Sequence, residues 1–159
     1  MNRKIVYCLL ALSVMTWSCS KDDDITTTEE NTEIVEALTI SESILELVNI
    51  HRRSIGKSIL TRNSTADNLA AEHTNYMIAQ QKISHDNFGA RFQSLQQDVN
   101  AHAAGENVAY GYKTAQAVMQ GWINSPGHKA NIEGDFTHIG IAAIKNSQGL
   151  YYYAQLFYR

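Results

Sequence analysis

Two β-rich runs close this chain and do most to limit its fold. Residues 137–145 and 150–158 are dense in Ile, Ala, Tyr and Phe, with Asn146-Ser147-Gln148-Gly149 between them. Strands of that length joined by about four turn-forming residues make an antiparallel hairpin. The segments ahead of them read mainly as helix. Ser43-Ile44-Leu45-Glu46 has capping-box spacing, Ile44, Leu47, Val48 and His51 recur at helical intervals, and Gly56 ends the segment. A second helix starts near Ser64-Thr65, with Leu69, Ala70, His73 and Met77 on one face. Residues 84–89 read as a loop, 90–99 as a weaker helix and 105–111 as a short strand. Thr114 caps a helix through Trp122 that stops at Asn124-Ser125-Pro126-Gly127. Helices first and a hairpin last define an α+β fold with an antiparallel sheet.

The first residues are an address. Asn2-Arg3-Lys4 is a short basic start, and Ile5 to Trp17 is almost wholly apolar, too short to span a bilayer and suited to the core of a signal peptide. Ser18-Cys19 closes it. A cysteine there resembles the lipobox of bacterial lipoproteins, although Thr16 stands where Leu is usual. The expectation is a signal over residues 1–18 and an acylated Cys19 holding the chain on the bacterial outer membrane. An ordinary secretory signal with a nearby cysteine is the alternative. Residues 19–40 hold one Lys and seven acids, whereas residues 41–159 hold ten basic and nine acidic residues. The acidity therefore belongs to a tether expected to be disordered, and the domain begins at Ser41. Cys8 and Cys19 are the only cysteines, so the domain needs no disulfide and cannot be a zinc finger. A formal net charge of −3 gives no footprint for nucleic acid.

Six histidines, at 51, 73, 85, 102, 128 and 138, could carry chemistry. His51 and His73 lie on apolar helix faces and read as core histidines. His85, His128 and His138 sit in loop or strand-edge contexts. Glu106, in Gly105-Glu106-Asn107-Val108-Ala109, is an acid in an apolar strand and needs a partner or a ligand there. Imidazole with carboxylate is a zinc ligand set, but spacing alone does not bring these residues together. Arg91 and Lys129 read as solvated charges and Trp122 as a core anchor. The tyrosines at 151, 152, 153 and 158 suit a hairpin without any carbohydrate role.

Four stretches carry a resemblance. Ser84-His85-Asp86-Asn87-Phe88, Gly105-Glu106-Asn107-Val108-Ala109, Trp122 through Ile132 with Ser125-Pro126-Gly127-His128 inside it, and Phe136-Thr137-His138-Ile139-Gly140-Ile141 occur in order. Together with Tyr153-Ala154-Gln155-Leu156-Phe157 they resemble the CAP superfamily of cysteine-rich secretory proteins, antigen 5 and pathogenesis-related 1 proteins, over residues 41–159. The resemblance implies a three-layer α-β-α sandwich with a central antiparallel sheet and a cleft. It implies that His85 and His138 are the two cleft histidines and Glu106 the first acid, so that His85, Glu106 and His138 hold a divalent metal, zinc above others. Ser125 stands where eukaryotic members have a Glu, which leaves the set short. His128 is the natural substitute, at the rim or as a fourth member, and Asn107 and Ser125 are hydrogen-bonders behind it.

Two functions follow as expectations. One is an extracytoplasmic binding module whose cleft takes a divalent metal, a small ligand or a side chain of a protein partner. The other is a metal-dependent hydrolase acting on peptide or cell-envelope material, with His85 or His138 as general base. No complete nucleophile–base set can be placed in the sequence. An open ligand set facing a groove favours the hydrolase, and a closed, mutually hydrogen-bonded set favours the module. A third reading is a polar cluster that fixes the cleft and does no chemistry.

Overall fold

The computed structural model describes residues 26–159, with side chains from Ile40 onward. The chain runs α1 (Thr26–Ser54), β1 (Thr61–Arg62), α2 (Ser64–Gln80), α3 (Phe88–Val99), β2 (Ala104–Tyr110), α4 (Ala115–Ile123), α5 (Pro126–Ile132), β3 (His138–Lys145) and β4 (Tyr151–Tyr158). The signal over residues 1–18 and Cys19 lie outside the described residues. α1 begins at Thr26, ahead of the expected start at Ser43, so residues 26–40 of the expected tether are helical backbone. An acidic, Thr-rich composition reports poor burial, not backbone conformation. A helix already nucleated downstream extends at the cost of propagation alone.

The closing hairpin forms as expected, with Ile141 opposite Gln155 and Lys145 opposite Tyr151. β2 pairs antiparallel with β4 on its other side, and the sheet order is β1-β3-β4-β2. The sheet is mixed, not wholly antiparallel, because β1 pairs parallel with β3. β1 carries the chain past the β3 edge, from α1 on one face to α2 on the other, and that crossing sets its direction.

Register assigns every strand residue to a face. Val108, Ala142, Ala154 and Leu156 meet Ala66, Ala70 and Met77 of α2 and Leu95 of α3. Ile139, Ile141, Tyr153 and Phe157 point the other way, onto Ile44 and Val48 of α1, Val118, Met119 and Trp122 of α4, and Ile132 of α5. The result is the three-layer α-β-α sandwich.

Three local devices set the positions that matter for the site. Asn63 caps α2 by accepting from Ala66 N at 3.0 Å. Gly140 lets that first turn lie directly on β3, since a Cβ there would collide with the Ala66 backbone. Pro126-Gly127, expected as a stop, instead starts α5, with Ser125 as N-cap and Pro126 at the first helical position. Proline lacks an N–H that is not needed there.

Candidate functional site

β2 turns the Glu106 side chain toward α2 and α3, where it is buried, with its side chain only 3% exposed. The need for a partner is met by Arg91. Its Nε donates to Oε2 at 2.7 Å and its Nη2 to Oε1 at 2.9 Å, a two-pronged fork, while Nη1 donates to the Asp86 carbonyl at 2.7 Å. The reading of Arg91 as a solvated charge is therefore corrected: it is buried. Its position was readable, because Arg91 lies three residues after Phe88 and four before Leu95, on the apolar face of α3. An arginine there beside a buried acid elsewhere is a pairing signal.

His85, in the loop before α3, places Nδ1 2.8 Å from Glu106 Oε1, and its ring is 54% exposed. A carboxylate only accepts, so Nδ1 carries the proton and the neutral ring keeps its lone pair on Nε2. His73 of α2 is buried behind them. Its Nε2 bonds the Ser84 carbonyl at 2.7 Å and lies 3.7 Å from Glu106 Oε1. That bond ties α2 to the loop carrying His85.

The other expected residues divide. His128, on α5, is half-buried, and its pKa is lowered first by burial and then by the charge of His85. Lys129, beside it, stays exposed, 3.8 Å from Glu133. His138 is not brought to the cluster. Its ring stacks on Tyr158 with centroids 4.8 Å apart, and Nδ1 is 2.8 Å from the Thr137 hydroxyl. Register puts Gly140, not His138, level with Glu106. His138 is two strands across, about 10 Å, and two residues along, about 7 Å. The first turn of α2 sits on Gly140, next along the strand. Motif order supplied His138, and strand register removed it. Ser125 caps α5 without a side-chain bond. Asn107 points to the opposite face from Glu106, where its Nδ2 donates to the His128 carbonyl at 3.1 Å. His51, expected as a core histidine, instead pairs with Glu133 at 2.8 Å.

The sequence model of the cysteine-rich secretory protein family, CAP, matches residues 45–157. The chain belongs to the CAP family. The chain is 32% identical over 123 residues to the uncharacterized membrane protein YlbC of Bacillus subtilis, covering 75% of this chain and 34% of that one. It thus spans about a third of that relative's length. Among solved structures, an extracellular protein containing a SCP domain from Bacillus anthracis superposes with a TM-score of 0.71 at 27% identity, over 86% of this chain and 45% of that chain. An outer surface protein from Borrelia burgdorferi shares the fold with a TM-score of 0.66 at 22% identity, over 85% and 96% of the two chains. No helix among the described residues is long and apolar enough to cross a membrane.

In this CAP domain the expected metal set of His85, Glu106 and His138 is not assembled. Among the described residues no three His, Asp or Glu are grouped to hold a metal ion. Glu106 does not fit as a direct ligand, because both oxygens already accept hydrogen bonds and the Arg91 guanidinium would repel a cation beside it. His85 does fit. A carboxylate on Nδ1 with the Nε2 lone pair turned outward is how metal-binding imidazoles are oriented.

Burial pushes the His73 imidazole below its ordinary range, outweighing the pull of Glu106, and His128 moves the same way. Both histidines are depressed in the folded state, so the unfolded chain binds more protons as pH falls through about 6.5. Stability should therefore drop below that pH. The urea midpoint is expected to be lower at pH 5.5 than at pH 7.5, with a shallower dependence in His73→Gln. A midpoint that does not change between the two pH values would contradict this.

Proposed function

We propose that this CAP domain is a non-catalytic binding module whose cleft, formed by His85 and His128 with Glu106 behind His85, takes a divalent cation or a small ligand outside the cytoplasm. The observation that carries the reading is the carboxylate of Glu106, hydrogen-bonded on both oxygens and paired with Arg91. With Arg91 on both oxygens and His85 on one, its negative charge is held by three hydrogen bonds, which makes it a poor base toward water and suits it to orienting His85. The closed set favours recognition over hydrolysis. A cation such as zinc would be held by His85 Nε2 and His128, leaving positions open for a donor from a small ligand or a partner's side chain.

Titration calorimetry with zinc tests this. His85→Ala and His128→Ala should each weaken binding by about tenfold or more, on the scale of losing a ligand's orientation or more. His138→Ala should bind as the parent does. Equal loss in all three variants, or no binding by the parent, overturns the reading.

Export on a Cys19 lipid anchor completes the proposal, supported by the apolar segment ending at Ser18-Cys19 and the extracellular relative from Bacillus anthracis. Mass spectrometry of the membrane fraction should find Cys19 acylated as the first residue. Unchanged anchoring of Cys19→Ser counts against it.

A further inference from the structure

We infer that Asn107 is the positioning residue for His128, acting on the face of the sheet opposite Glu106 through an amide chain with Asn131 and Gln155. The inference rests on the reading of His85 and His128 as the cleft pair. Glu106 and Asn107 are neighbours on β2 and point to opposite faces, yet each holds one of those histidines. Glu106 holds the ring of His85. Asn107, fully buried, holds the backbone of His128.

The polarity of the amide chain is set by main-chain carbonyls. Asn131 Nδ2 donates to the Glu106 carbonyl at 3.0 Å and to Asn107 Oδ1 at 2.9 Å. Asn107 Nδ2 donates to the His128 carbonyl at 3.1 Å and to Gln155 Oε1 at 3.0 Å. Carbonyl oxygens only accept, so neither asparagine can turn over. Gln155 cannot either, since it would then set its own donor against Asn107 Nδ2. Its Nε2 is left as the buried side-chain atom without a hydrogen-bond partner among the described residues. An apolar residue would avoid that penalty. A role for the Gln155 oxygen in aiming Asn107 at His128 accounts for its presence.

The surrounding chain is shaped to the same end. α5 has seven residues, too few to hold a helix by itself. Gly105 gives Asn131 room to reach β2, because a Cβ there would lie 2.8 Å from Asn131 Oδ1. At the far end of α5, Arg52 donates to the carbonyls of Ile132, Gly134 and Phe136. Asn107 thus holds the half of α5 that carries His128, and Asn131 and Arg52 hold the other.

The test uses protein labelled with carbon-13 at histidine, without metal, comparing the parent with Asn107→Leu, Asn131→Ala and Gln155→Leu. In each variant the His128 ring resonance should move while that of His85 stays in place. Zinc affinity should fall about 10–100-fold in Asn107→Leu, as for other outer partners of a ligand, and this loss should vanish in a His128→Ala background. A His128 resonance that stays in place in folded variants overturns the inference. So do His85 and His128 moving together, as a loosened fold would make them. Should Asn107→Leu fail to fold, Asn131→Ala, at a half-buried position, decides. If the parent binds no zinc, the cleft-pair reading fails, but a displaced His128 ring still upholds the positioning role.

Discussion

Replacing Arg91 by Met should destabilise this domain by about 3–5 kcal/mol, the cost of leaving one partner of a buried ion pair alone. Glu106 lies with its side chain 3% exposed, and two of the three hydrogen bonds to its oxygens come from Arg91. Without the guanidinium, the carboxylate must take a proton or draw in water, and either change also releases the ring of His85. The double variant Arg91→Met with Glu106→Gln should recover most of the loss, because a neutral amide needs no counter-charge. Urea denaturation at pH 7.5 measures both. A loss under about 1 kcal/mol for the single variant, or no recovery in the double, would show that the pair is not what holds this corner of the fold.

Trp122→Ala should cost about 3–5 kcal/mol as well, for a different reason. Trp122 is 1% exposed, meets Tyr153 edge-on with centroids 6.2 Å apart, and donates from Nε1 to the Val108 carbonyl at 3.3 Å. Its removal leaves a cavity between α4 and the sheet, on the face opposite Glu106. The His85–Glu106–Arg91 cluster should therefore stay formed at temperatures where the variant is folded, and the His85 ring resonance reads this directly. A fall in thermal stability worth less than about 1 kcal/mol, or a disturbed His85 in the folded variant, would contradict the two-faced arrangement.

Much of the fold could be read from local pattern. The hairpin around Asn146–Gly149, the Thr114 cap and the faces of α1 and α2 are short-range features, written in turn chemistry and in the spacing of apolar residues. Parallel β1 and helix α5 were missed because neither carries a pattern of its own. β1 is two residues long, and Pro126-Gly127 has the same composition whether it ends one helix or begins the next.

The sequence by itself determined that Glu106 needed a partner, since a carboxylate among apolar strand residues is costly wherever the strand is placed. It also determined which residues were eligible, through the motifs around His85, His128 and His138. Tertiary structure alone decided who meets whom. Arg91 reaches Glu106 because α3 lies against β2, and His138 is lost to the site because β4 stands between its strand and β2. Asn107 serves His128 because α5 folds back over the opposite face. These are contacts between residues 15 to 48 positions apart. Their geometry depends on strand register and helix placement, which follow from packing the whole core and not from any local run of residues.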